Sequence, residues 1–318
     1  MRRFFSYLLS RKTISVILTI ISIVLTLVCT VELVRRLMTI GDDVVDTLLE
    51  LATCRWLIIL ELVLFVINIS LESLKWWLIN GRNYQHFKWW HIYETVFIAT
   101  AFGGATPGRV GEHVARLQDG KNHSDALAGS LISSVVQTTV IVVFAIIVPI
   151  AYSLGYVSRH DISSVDITEL FVVVWIVIAV MIIIVPLVAY LLRRWRNNEY
   201  MQRITVKRLS QVFVVNTLRY MVFVTQLVLL LSIDNWELMP RMYIFATLYY
   251  LLITILPSIN IIDIGVKNEM AIIAFGSLVS ESVIFTSIFV VWLINTCLPS
   301  FIGLVLNVRK VIRRTIGL

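Results

Sequence analysis

Four stretches of this chain, Ile14 to Val31, Ala126 to Tyr152, Leu170 to Leu192 and Ser282 to Val308, contain no charged side chain. Each reaches the ~18 residues at which an apolar run becomes a candidate transmembrane helix. In the bilayer every backbone N–H and C=O must be satisfied within the segment, so such runs are confined to helices. The composition agrees: 58% of the 318 residues are hydrophobic and 15% are charged, against roughly 25% charged in an average soluble domain. A soluble globular enzyme is excluded, and an all-α polytopic membrane protein is expected.

Two further runs, Trp56 to Ile79 and Val212 to Ile233, are long enough to cross and carry few ionisable residues, among them Glu61, Glu72, Lys75 and Arg219. Six spans follow, at about 14–31, 56–79, 126–152, 170–192, 212–233 and 282–308. The net charge of +7 comes from 27 Lys and Arg against 20 Asp and Glu. Its excess is clustered beside apolar runs, which points to orientation and lipid headgroups and not to nucleic acid. Cys29, Cys54 and Cys297 form neither a disulfide framework nor a zinc spacing. The five histidines show no paired metal spacing, and no nucleotide-binding glycine motif occurs. No metal or cofactor is expected.

Positive residues concentrate in the first twelve positions, around Arg82 and Lys88, from Arg193 to Arg208, and at Arg309, Lys310, Arg313 and Arg314. All are expected on the cytoplasmic side, with both termini. The acidic segment around Asp42, Asp43, Asp46 and Glu50 is expected outside. Counting crossings between these anchors leaves two apolar stretches, about 91–125 and 242–276, that must enter and leave by the same face. The halves 1–157 and 158–318 then share one order of elements, span, span, re-entrant helical hairpin, span, and start from opposite sides. That is an inverted-topology repeat, an architecture common among secondary transporters, whose broken segments meet near the midplane. The charge rule leaves Arg35, Arg36 and Arg55 near the outer face, and 242–262 has the length of a full span.

The first hairpin turns through Gly103, Gly104, Pro107, Gly108 and Gly111 and carries Arg109, Glu112 and Arg116. A helix starting after Pro107 would aim free N–H groups into the membrane, a site for phosphate or carboxylate that Arg109 would reinforce. Glu112 and Arg116 lie four apart, on one helical face. The second hairpin carries Pro257, Asp263, Gly265, Lys267 and Glu269 and repeats the order proline, glycine, basic residue, glutamate. Ionisable groups cost ~2.5–3.5 kcal/mol at the bilayer centre, so these sets suggest function; ordinary extramembrane loops are the alternative. Glu61 and Glu72 share a face of the second span. They would neutralise Arg109 or Arg219, line the pathway, or sit at a shifted helix end. Trp76, Trp77, Trp89 and Trp90, with Lys75, Arg82 and Lys88, read as an interfacial belt with snorkelling cations.

Thr106 to Glu112 resembles the signature of the flippase-like family typified by the transmembrane region of lysylphosphatidylglycerol synthases. Leu74-Lys75-Trp76-Trp77 resembles the basic-Trp element of that family's second helix, and Pro257-Ser258 with Gly265-Val266-Lys267 and Glu269 resembles its second signature. Ala115 stands where the family usually has its arginine, with Arg116 one later, and Asn260, Ile261 and Ile262 replace a Pro-Gly-Gly. The resemblance implies movement of a lipid or lipid-linked headgroup between leaflets of a bacterial or archaeal cytoplasmic membrane. It covers the membrane part alone, without the soluble aminoacyl-transfer domain of the synthases. On this reading Arg109, Arg116 and Lys267 hold the phosphate of a phospholipid or polyprenyl-linked lipid. Glu112, Asp263 and Glu269 balance charge. The alternatives are a membrane-embedded headgroup transferase using Glu112 with His113, and a non-catalytic partner of a separate synthase or transferase.

Overall fold

The computed structural model describes residues 31, 34–36, 38–39, 41–80, 89–106, 109–117, 123–156, 205–256 and 263–316. Within them the chain is helical and contains no strand. The helices are α1 (41–53), α2 (Arg55–Asn80), α3 (Trp89–Gly104), α4 (Val110–Leu117), α5 (His123–Ala145) and α6 (Ile147–Ser153). They continue with α7 (Val206–Leu231), α8 (Met239–Ile255), α9 (Ile264–Phe275), α10 (Glu281–Trp292) and α11 (Leu298–Ile316).

Local chemistry sets the ends. The Thr205 hydroxyl accepts from the Arg208 N–H at 3.3 Å and caps α7. Pro240 occupies the first turn of α8, where its missing N–H costs nothing. Leu256 after α8 is extended (φ −79°, ψ 123°), as suits a residue preceding proline. Pro149 cannot donate to the Ala145 carbonyl four residues earlier, and α5 ends there. Pro299 likewise leaves the Asn295 carbonyl without its donor, and Leu293–Cys297 between α10 and α11 widens into a π turn.

Five helical stretches are long and apolar enough to cross a membrane: Arg55–Asn80, Ala126–Ser153, Val206–Leu231, Trp236–Ile255 and Glu281–Ile312. Four of them match expected spans. The spans expected at 14–31 and 170–192 lie outside the described residues, apart from Val31. The fifth, Trp236–Ile255, falls on the arm that charge parity assigns to the second re-entrant hairpin. In the first hairpin α3 has 16 residues and α4 has 8, about 24 and 12 Å of helix against a hydrocarbon core of ~30 Å.

The same order of neighbour contacts occurs in two sets of helices. α2 lies against α3 and α7 against α8; α3 against α4 and α8 against α9; α4 against α5 and α9 against α10. α2 meets α5 as α7 meets α10. α3 packs on α11 and α8 on α5 and α6, while α2 and α7 pack on each other. The largest apolar cluster joins α5 and α6 to α7, α8, α9 and α10 through side chains including Val140, Leu227, Phe245, Phe275 and Ile284. The α3–α11 seam is drawn tight at Gly303, where a Cβ would stand 2.1 Å from the Phe97 carbonyl oxygen.

Candidate functional site

The face of α2 that carries Asn68, Glu72, Lys75 and Trp76 follows the 3.6-residue period and points into the bundle, and all four are buried. Glu72 is the centre of the charge cluster. Its carboxylate lies 2.6 Å from Lys75 Nζ, 2.6 Å from the Arg116 guanidinium and 2.7 Å from that of Arg219. Glu112 extends the cluster, 2.6 Å from Arg116 and 2.8 Å from Arg109. Burial alone would raise the Glu112 pKa, but Arg109 and Arg116 outweigh it and hold the carboxyl low.

Uncharged side chains finish the coordination. Arg219 Nε donates to Asn68 Oδ1 at 2.8 Å and its Nη1 to Gln137 Oε1 at 3.2 Å, while Lys75 donates to the same Gln137 oxygen at 3.5 Å. Asn68 donates to Asn295 at 2.9 Å, and Asn295 to Gln226 at 3.1 Å, so the π turn feeds an amide into the network. The Arg116 guanidinium lies 4.4 Å from the centroid of the Trp76 ring.

The hairpin between α3 and α4 is held by its own backbone. Thr106 Oγ1 accepts from the Gly111 N–H at 2.7 Å, so one first-turn donor of α4 expected to be free for an anion is already satisfied. Arg109 sits at φ 58°, a left-handed conformation that is costly for a side chain with a Cβ. Any Cβ at Gly111 would lie 2.2 Å from the Phe102 carbonyl oxygen, so only glycine lets α4 fold back onto α3.

These groups open onto a cavity of 570 Å³, within the range of small-molecule sites. Glu72, Lys75, Arg109, Glu112, Arg219 and Lys267 line it, so one void joins α2, α7 and both expected hairpins. Among the described residues of the cluster around Glu72 and Glu112, four cations (Lys75, Arg109, Arg116, Arg219) face those two carboxylates. Such an excess beside a cavity in an apolar bundle favours an incoming anion.

Of the residues expected at the site, Arg109, Glu112 and Lys267 line the cavity and Arg116 is buried behind it. Asp263 lies 2.7 Å from Lys267. Glu269 is elsewhere: it lies 3.2 Å from Arg36, which also binds Glu281 at 3.0 Å, so the charge the outer-face reading left unexplained at Arg36 has counterions. Gly104 lines the cavity and Gly265 is buried in the first turn of α9, while Gly103 faces Glu112. Pro107, Gly108 and Pro257 lie outside the described residues. Glu72 pairs with Arg219 at 2.7 Å. Glu61 is 1% exposed, lies beside Gln226 and pairs with no cation among the described residues.

Two belt residues are corrected. Trp77, Trp89 and Trp90 are exposed, but Trp76 and Lys75 are each only 1% exposed and belong to the cluster. His113 lies 2.6 Å from Ser130 through Nδ1. Sequence reasoning passed over Asn68, Gln137, Asn216, Gln226 and Asn295. The signal for them was present, since an amide inside a membrane-length apolar run also needs a partner.

No protein-family model matches this chain, and no curated protein matches it. The likeness to the flippase-like family therefore rests on the motifs themselves.

Proposed function

We propose that this protein moves an anionic lipid, a phospholipid or polyprenyl-linked lipid, across a membrane by holding its headgroup phosphate in the central cavity. The observation that carries this reading is the meeting of Arg109 from one hairpin and Lys267 from the other in one void beside a cluster with excess positive charge. In this account six spans and two re-entrant hairpins form an inverted repeat, and rocking of one half against the other exposes the cavity alternately. The paired packing of the halves supports it, as does the shortness of α3 and α4. Trp236–Ile255, long enough to cross by itself, is assigned to the entering arm of the second hairpin because a seventh crossing would reverse the basic C-terminus.

Arg109 and Lys267 bind the phosphate, Arg219 and Lys75 attract it, and Glu72 and Glu112 keep the cations in place between turnovers. Glu112 already accepts from two guanidiniums, which suits positioning better than acid–base chemistry and favours translocation over the transferase reading. The test is reconstitution into vesicles with a fluorescent phosphatidylglycerol, following access of a membrane-impermeant quencher. Arg109→Ala combined with Lys267→Ala should slow exchange roughly tenfold or more, given charge-assisted hydrogen bonds of ~1.5–3 kcal/mol. Exchange at the wild-type rate would remove the assigned site.

A further inference from the structure

The same cavity says which kind of headgroup it suits, an inference that rests on the reading above. We propose that the ligand is rich in hydroxyl groups and lacks an amine: a polyol or sugar joined to the phosphate. A headgroup ammonium needs a carboxylate, and among the described residues those at the cavity and beside its lysine are already paired. Glu72 is taken by Lys75, Arg116 and Arg219, Glu112 by Arg109 and Arg116, and Asp263 by Lys267. An amine would have to expel one of the protein's own cations and would face the remainder.

The aromatic rings beside Arg219 are already engaged. Arg219 already lies 5.1 Å from the Phe223 ring centroid. Tyr220 stacks on Phe144 at 4.9 Å and meets the edge of Tyr250 at 5.7 Å, so these rings are spent on protein partners.

What the cavity does hold open is uncharged. Asn216 is 3% exposed, lines the cavity, and has no partner for either Oδ1 or Nδ2 among the described residues. Tyr220, one turn further along α7 and 6% exposed, leaves its hydroxyl without a hydrogen-bonding partner among the described residues. Both lie beside Arg219 on one face of the helix. An amide presents donors and an acceptor, a phenol presents one of each, and a sugar or polyol hydroxyl complements both. A buried amide without a partner costs ~1–3 kcal/mol, which a hydroxylated ligand would relieve. With the phosphate at Arg109 and Lys267, the headgroup hydroxyls would share one cavity with Asn216 and Tyr220.

The experiment uses the full chain, purified in detergent, and three soluble probes: inorganic phosphate, glycerol 1-phosphate and phosphoethanolamine. Calorimetry should give glycerol 1-phosphate roughly tenfold or more tighter binding than phosphoethanolamine. Asn216→Ala and Tyr220→Phe should each lower that ratio by roughly five- to tenfold. Tyr220→Phe keeps the stacked ring, so its result does not depend on tolerance of a cavity. Equal affinities, a preference for phosphoethanolamine, or a preference that survives both substitutions would overturn the proposal while phosphate binding upheld the anion site. If no probe, inorganic phosphate included, bound at all, the proposal and the anion site would fall together.

Discussion

Glu72 holds three cations, whereas Glu61, eleven positions earlier on the same helix, holds none among the described residues. Buried charges resist loss of their counterion far more than loss of their own kind. Glu72→Gln should therefore lower unfolding stability by about 3–5 kcal/mol, because Arg116, Arg219 and Lys75 lose their shared partner. Glu61→Gln removes a carboxyl that no cation needs and should change stability by less than about 1 kcal/mol. Denaturant unfolding in one detergent checks both, and similar losses would contradict the distinct environments. Reading the sequence identified ionisable residues inside spans but did not rank them. The eleven-residue spacing puts both glutamates on one face, yet which one meets Arg219 depends on the vertical register of α2 against α7. Lys75 was read as snorkelling because a terminal lysine beside tryptophans usually reaches water; here Glu72 one turn earlier holds it inside.

Helices that break do so where prolines remove a donor, a signal present at Pro149 and Pro299 although both runs were expected as unbroken spans. The consequence of the second break, a π turn bringing Asn295 to Asn68 and Gln226, was not, because it depends on three helices at once. The close seams were partly legible. Gly111 belongs to the motif that marked the first hairpin, whereas Gly303 lies in a plain apolar run and shows its role only against Phe97. Gly303→Val should lower stability by about 2–3 kcal/mol. Gly41, in helix α1 with nothing near its Cβ position, provides the opposite case: Gly41→Ala should raise stability by about 0.5–1 kcal/mol. Thermal unfolding of both variants reads the two signs, and a tolerated valine at 303 would mean that α3 and α11 are not held at that distance.

Across the whole molecule, the order of apolar runs and the distribution of Lys and Arg led to an expectation of two matched halves, and five helical stretches are long and apolar enough to cross a membrane. The second arm was harder to read because its apolar length suits a full crossing, and only charge parity argues otherwise. Single cysteines at Gly108 and Asn260, in a background without Cys29, Cys54 and Cys297, should react with an impermeant maleimide from opposite sides of the membrane. Reaction from the same side would break the inverted arrangement. Central to the account is an anionic headgroup held by Arg109 and Lys267. Mass spectrometry of the lipids that copurify with the wild type and with the Arg109→Ala, Lys267→Ala variant tests that claim. An anionic lipid class enriched over the host membrane in the wild type and lost from the variant is expected. The same unselective lipid on both proteins would contradict it.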